Sequence, residues 1–214
     1  MKRCVIFCAG GFDRLIAPIT QNDMVIAADG GLLHTQTLAL QPDAVLGDFD
    51  SLGYVPENAV QFPVEKDDTD AMLAVRHGLA AGCDRFLLYG TLDGPRLDHT
   101  VANFQTLQFL ANRDAEGYLV GIDQIATVVK DGALRFPAHA EGYISLFCMG
   151  ADARGVTLRG LQYPLENATL TSGFPLGVSN RFLGSEATVS VQNGSLLVLW
   201  DKVNGLPERP VHNS

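Results

Sequence analysis

Apolar residues in the first 120 positions fall into short runs, at 4–8, 24–28, 44–47, 59–64 and 86–89, each closed by glycine, aspartate or another polar residue. Runs of this length and β-branched content predict buried parallel strands. The stretches between them carry helical spacing. One helix is predicted over 69–81, with Ala71, Leu73, Ala74, Val75, Leu79 and Ala80 apolar and Gly82 as the stop. A second is predicted over 98–112, with Val101, Phe104, Leu107, Phe109 and Leu110 as its apolar face. Strand and helix alternating in this way predict an open, mostly parallel sheet with helices on its faces.

The pattern changes near residue 122. Beyond Gln124 no helical period stands out, and turn signals multiply. Lys130-Asp131-Gly132 between two apolar runs reads as a hairpin, and Asn193-Gly194 reads as another. Thr188 to Gln192 alternates polar and apolar, as a half-buried strand does. Further strands are predicted at 143–149 and 168–170. Several short strands joined by turns suggest a sandwich or barrel. The fold class is therefore α/β: a mostly parallel open sheet over residues 1–121, followed by an all-β sandwich over 122–214. The Pro-rich tail from Gly205 is expected to fray.

Composition narrows the partners. The 214 residues are 47% hydrophobic and 18% charged, an ordinary globular balance. A net charge of −9 disfavours nucleic acid and anionic membranes. No run reaches the roughly 20 apolar residues of a membrane helix. Lys2 and Arg3 precede an apolar run too short for a secretion signal, so a cytoplasmic location is expected. Cys4, Cys8, Cys83 and Cys148 lack the spacing of a zinc site and are read as buried, reduced thiols.

The chemistry gathers where strands end. Asp48 and Asp50 follow the third apolar run, and ligands of an open α/β sheet bind beyond the carboxyl ends of its strands. Two carboxylates held close repel unless a cation lies between them, and a hard divalent ion takes oxygen ligands. Capping of the next turn is the alternative. Glu65-Lys66-Asp67-Asp68-Thr69-Asp70 follows another strand candidate and opens a helix. Acids there also suit a helix N-terminus, but Lys66 among them suits phosphate oxygens. The segment from Tyr89 to His99 is glycine-bearing. In it, Arg96 offers a planar fork to phosphate, Asp98 stands where the helix begins, and His99 is a further polar candidate, although a histidine in a first helical turn is more often structural. Asp29-Gly30-Gly31 is a fourth acidic loop on the same presumed edge. No Walker-type loop, nucleophile elbow or zincin helix is present. Acid-bearing loops without a Walker lysine fit phosphoryl chemistry run mainly by magnesium.

Asp29-Gly30-Gly31, Gly47-Asp48-Phe49-Asp50-Ser51, Lys66-Asp67-Asp68-Thr69-Asp70 and Arg96-Leu97-Asp98-His99 resemble, in order and spacing, the thiamine pyrophosphokinase family. Gly160 to Leu165 and Val178-Ser179-Asn180 resemble that family's thiamine-binding domain. The resemblance implies an α/β nucleotide domain, a β-sandwich domain, and a homodimer with thiamine bound between subunits. It implies transfer of the terminal diphosphate of ATP to the thiamine hydroxyl, with AMP released. By position, Asp48, Asp50 and Asp70 would hold Mg2+, and Asp29, Lys66, Thr69 and Arg96 would meet ATP. Asp98 would stand near the reacting hydroxyl, with Asp70 and Lys66 sharing the catalytic work, and Asp98, Ser179 and Asn180 would contact thiamine. The loop from Gly90 to Arg96 is one residue longer than the family pattern and has Pro95 in place of a glycine, which removes a backbone donor. Phe174, Phe182 and Trp200 could stack on thiamine, although core packing is the plainer reading.

Three other functions share parts of this pattern. A diphosphokinase for another alcohol, such as a hydroxymethylpterin, would share the acidic first half without the thiamine segments. A non-catalytic thiamine- or nucleotide-binding module would be expected to lose part of the acid set. A magnesium-dependent nucleotide hydrolase would need no cation-binding β-domain.

Overall fold

The computed structural model describes residues 1–49, 52–63 and 67–210. The chain divides into two compact units, Met1–Ile122 and Asp123–Ser214.

The first unit is built on strands β1 (Arg3–Phe7), β2 (Met24–Ala28), β3 (Ala44–Gly47), β4 (Val60–Gln61), β5 (Arg85–Tyr89) and β6 (Glu116–Val120). Their order is β4-β3-β2-β1-β5-β6, and every neighbouring pair is parallel. Both faces of a parallel sheet are covered, which is why its strands are continuous apolar runs. Val5, Ile6, Phe7, Ile26, Ala27, Leu87, Leu88 and Leu119 are accordingly buried. Three helices connect the strands: α1 (Leu32–Thr37), α2 (Asp70–Ala80) and α3 (Leu97–Ala111).

Helix α2 turns Ala71, Ala74, Val75 and Gly78 inward, the i, i+3, i+4, i+7 spacing of one face. It lies close to the sheet because Gly78 has no side chain: a Cβ there would stand 2.7 Å from the Phe86 ring and 3.0 Å from the Cys4 Sγ. The helix stops where predicted, with Gly82 beyond it at φ +79. Helix α3 departs from its predicted face. Asn103, Thr106, Leu107 and Leu110 are buried, whereas Val101 is half exposed. The polar pair goes inward because Asn103 and Thr106 find backbone carbonyls there, those of Thr91 and Ala102.

In this unit β6 and α1 escape the sequence reading: β6 lies just before the change of pattern placed near residue 122, and α1 is too short to show a period. Strand β4 is shorter than its predicted run, whose last residue lies outside the described residues.

The second unit holds β7 (Gln124–Lys130), β8 (Ala133–Phe136), β9 (Tyr143–Arg159), β10 (Leu165–Leu170), β11 (Gly177–Arg181), β12 (Ala187–Ser190) and β13 (Asn193–Asp201). They form two antiparallel sheets, β7-β13-β9-β11 and β8-β12-β9-β10, with the long β9 shared between them. Gly150 and Gly155, both at positive φ, lie along β9 where it passes from one sheet to the other. The sheets face each other through Phe136 of β8, whose ring lies 5.4 Å from Trp200 of β13 and 5.1 Å from Phe182.

Neither predicted hairpin is one. Strand β7 pairs with β13 and β8 with β12, so the turn at 131–132 carries the chain between sheets. Between β12 and β13 the chain changes sheets at 191–192, and Asn193-Gly194, predicted as the turn, are already the first residues of β13. The 131–132 turn bonds to this strand start: Asp131 N–H donates to the Gly194 carbonyl at 3.1 Å, and Gly194 N–H to Asp131 Oδ1 at 2.8 Å. The tail is not frayed up to residue 210. Arg135 and Glu208 exchange backbone hydrogen bonds, and Arg209 donates to Thr127 Oγ1 and to the Val128 carbonyl.

Candidate active site

All strands of the first unit run the same way, so their carboxyl ends, and the amino ends of the helices that follow, share one edge. The strand order reverses between β1 and β5: the chain proceeds outward from β1 to β4, then returns through α2 to β5 on the other side of β1. Such a reversal opens a crevice for a ligand.

The floor of this crevice is backbone against backbone. Gly10 N–H donates to the Gly90 carbonyl at 3.0 Å, and a Cβ on Gly10 would stand 2.5 Å from that oxygen. The Gly10-Gly11 turn was too weak a signal to single out in the sequence, yet it lines the switch point. The β5–α3 loop is held from several sides. Asn103 Nδ2 donates to the Thr91 carbonyl at 2.9 Å, and Thr91 Oγ1 donates to the Leu88 carbonyl. Asp93 accepts Ile122 N–H on Oδ2 at 2.7 Å and Gly11 N–H on its carbonyl. The lengthened loop is thus clipped at Asp93, upstream of Pro95.

Asp29 follows β2 at φ +47 and is buried, and its Oδ1 has no hydrogen-bond partner among the described residues. Gly47, at the end of β3, packs on it: a Cβ there would lie 3.1 Å from the Asp29 Cα. Asp48 is the next residue, so β2 and β3 bring two carboxylate positions together. Cys8, after β1, lies near Asp70 and Asp29. Burial, then these two carboxylates, push its thiol up to about 12, so it stays protonated. Cys8 and Cys148 are only half-buried, a correction to the reading of four buried thiols, while Cys4 and Cys83 are fully enclosed. All four are free.

Helix α2 begins at Asp70, and Thr69 is its N-cap, the Oγ1 accepting Met72 N–H at 3.2 Å. One lone pair of the hydroxyl is thereby used, and its O–H remains able to donate. Helix α3 begins at Leu97, after Arg96, so Asp98 sits in its first turn and not at the cap. Arg96 holds Asp98 in a forked pair, Nη2 to Oδ2 at 2.6 Å and Nε to Oδ1 at 3.3 Å. That hydrogen bond, above other causes, keeps the Asp98 carboxyl below its ordinary range. Asp50 and Lys66 lie outside the described residues. Among the described residues, no three His, Cys, Asp or Glu side chains are grouped to hold a metal ion. The donors present are all oxygen at Asp29, Asp48 and Asp70, and the buried unbonded Oδ1 of Asp29 suits a hard cation such as magnesium.

In the second unit, Ser179 is exposed on β11 at φ +59, its N–H donating to Ser145 Oγ. Asn180 is 3% exposed, and its amide is spent on backbone: Oδ1 accepts Tyr163 N–H at 2.9 Å, and Nδ2 donates to the Tyr163 carbonyl at 2.8 Å. It fastens the segment 160–165 to β11. Between them lies a mainly apolar pocket of about 200 Å³, lined by Leu158, Tyr163, Leu165, Leu176, Val178 and Asn180. Phe182 and Trp200 belong to the core, whereas Phe174 is 65% exposed.

Comparison with known proteins agrees with this layout. The sequence model of the thiamin pyrophosphokinase catalytic domain matches residues 17–119, and that of the family's vitamin B1 binding domain matches residues 133–196. A curated thiamine pyrophosphokinase of Bacillus subtilis (strain 168) is 27% identical over 204 residues, spanning 89% of this chain and 95% of its own. The crystal structure of the thiamine pyrophosphokinase from Bacillus subtilis superposes with a TM-score of 0.79 at 24% identity, over 93% of this chain and 98% of its own. That of a thiamin pyrophosphokinase family protein from Enterococcus faecalis does so with a TM-score of 0.77 at 25% identity, over 94% and 99%. With both domain models matched in order along one chain, and the same fold from end to end, the chain belongs to the thiamin pyrophosphokinase family and is an enzyme of that type.

Proposed function

We propose that the chain is a cytoplasmic thiamine diphosphokinase that transfers the diphosphate of ATP to the hydroxyl of thiamine in a magnesium-dependent reaction. The observation that carries this reading is the placement of Asp29, Asp48, Asp70 and the Arg96–Asp98 pair after strands, or at helix starts, that share one edge of a parallel sheet at its switch point. The thiamine hydroxyl oxygen attacks the β-phosphorus, the bond to the α-phosphate oxygen breaks, and AMP leaves. Magnesium, held by Asp48, Asp50 and Asp70, would neutralise charge on the triphosphate. Asp29, Lys66, Thr69 and Arg96 meet the nucleotide, with the amino end of α2 favouring its phosphates. As Arg96 turns to phosphate, the Asp98 carboxylate is released to accept or orient the hydroxyl proton. Lys66 and Asp70 complete the catalytic set.

Thiamine is a cation, and an acidic chain attracts it. Its site includes Ser179 beside the pocket of the second unit, with Asn180 shaping the wall. Around that pocket Tyr163, Phe174, Leu176, Val178 and Leu183 are exposed. An apolar patch of this kind marks a covered surface, in keeping with a homodimer that encloses thiamine between subunits.

The test is an end-point reaction with ATP, magnesium and thiamine, read by chromatography. Thiamine diphosphate and AMP are expected in equal amounts, with both lost when magnesium is withheld. AMP without thiamine diphosphate, or no turnover, would overturn the acceptor and favour the pterin or binding-module alternatives.

A further inference from the structure

The loop before α2 is acidic beyond need. The sequence there reads Glu65-Lys66-Asp67-Asp68-Thr69-Asp70, four acids and one lysine. On the proposed function this segment receives a polyphosphate, and a carboxylate there that binds no metal repels it unless a cation covers it. Asp68 is covered. Arg76, in the second turn of α2, places Nε 2.8 Å from Asp68 Oδ2 and Nη2 3.4 Å from Oδ1. The guanidinium is itself steadied, lying 5.0 Å from the ring centre of Phe109 on α3, a ring that also carries the Arg113 guanidinium at 3.5 Å. The chain of contacts runs from α3 through Phe109 and Arg76 to Asp68, next to the capping Thr69 and to Asp70.

We infer that Arg76 is a positioning residue for the nucleotide: it masks the charge of Asp68 and fixes the loop leading into α2, so that metal-bound triphosphate is accepted there. The inference rests on the proposed ATP-dependent reaction. Arg76 is half exposed and touches no proposed substrate atom, so it acts through the loop. An exposed ion pair contributes little to stability, so its loss should show in nucleotide affinity and not in unfolding.

The experiment measures MgATP binding by titration calorimetry, with KM and kcat, for the wild type, Arg76→Leu, Arg76→Lys and the double variant Asp68→Asn/Arg76→Leu. Arg76→Leu is expected to weaken MgATP binding and raise its KM about five- to tenfold. The KM for thiamine, kcat and the melting temperature should stay unchanged. Arg76→Lys, which keeps the charge, should recover most of the loss. The double variant, which removes the exposed carboxylate as well, should return to within about twofold of wild type. A double variant as weak as Arg76→Leu, or an Arg76→Leu protein that binds MgATP normally, overturns the inference alone. A wild type that binds no MgATP overturns the proposed function, and this inference with it.

Discussion

Asn180 has every amide atom engaged with main chain inside a nearly closed environment. Asn180→Ala would remove two hydrogen bonds to the Tyr163 main chain, each worth about 1 kcal/mol net. Tyr163 is exposed and water can take up part of the loss, so denaturant unfolding should show a decrease of about 1–2 kcal/mol; an unchanged midpoint would mean that the amide serves only a ligand. Asp98 presents the opposite case, open to solvent and held by one partner. Its carboxyl is depressed by Arg96, so the charged pair persists above the ordinary carboxylate range and is lost as pH falls through the lowered value. Arg96→Leu should move the Asp98 titration up to the ordinary range, read by carboxyl-carbon NMR. An unmoved titration would show that the pair does not form in solution. The positions of Asp29 and Asp48 at strand ends, and of Arg96 and Asp98 at the start of α3, were legible in the sequence because they lie between an apolar run and the next element. The bonding of Asn180 was not, because nothing in the order Val178-Ser179-Asn180 tells a buried amide from an exposed one.

Helix α2 shows how far local signals reach. Its start and its stop follow from Thr69 and Gly82, but its inward face follows only in part: Ala71, Ala74 and Val75 are buried together with Gly78, whereas Leu73 and Leu79 are half-buried and Ala80 is exposed. The cap is testable: Thr69→Ala should cost ~1 kcal/mol of stability, with Thr69→Ser close to wild type. If the free O–H also serves the nucleotide, Thr69→Ala raises the KM for ATP as well, and Thr69→Ser does not. The β half resisted the same treatment. Lys130-Asp131-Gly132 and Asn193-Gly194 both have the chemistry of a tight turn, yet the chain bends at 131–132 while Asn193-Gly194 already belongs to β13. Which strand a turn delivers its chain to is decided by packing across the sandwich, through residues such as Phe136 and Trp200, and no local pattern encodes that. Strand β9 was half seen for a related reason: the predicted strand ends at 149, just before Gly150, yet β9 runs on to Arg159 and passes from one sheet into the other.

For the whole molecule, the proposed enclosure of thiamine between subunits requires a second copy. Light scattering at micromolar concentration should give twice the 23.0 kDa mass of the chain, and a strict monomer would contradict an inter-subunit site. Among the described residues no helix is long and apolar enough to cross a membrane. The two connections that switch sheets bear on how the second unit comes to be folded at all. A hairpin would let β7 find β8, and β12 find β13, within a few residues of chain. Instead Lys130 must meet Ser195, and Leu146 must meet Val198, before the sheet of β7, β13 and β9 exists. The loops that must close are long, so the search is governed by distant encounters and places this half of the chain among slow folders. The bonds between Asp131 and Gly194 continue the β7–β13 ladder one step beyond Lys130 and Ser195, so they can form only once two strands some sixty residues apart have paired, and until then β7 offers an open edge to any neighbouring chain.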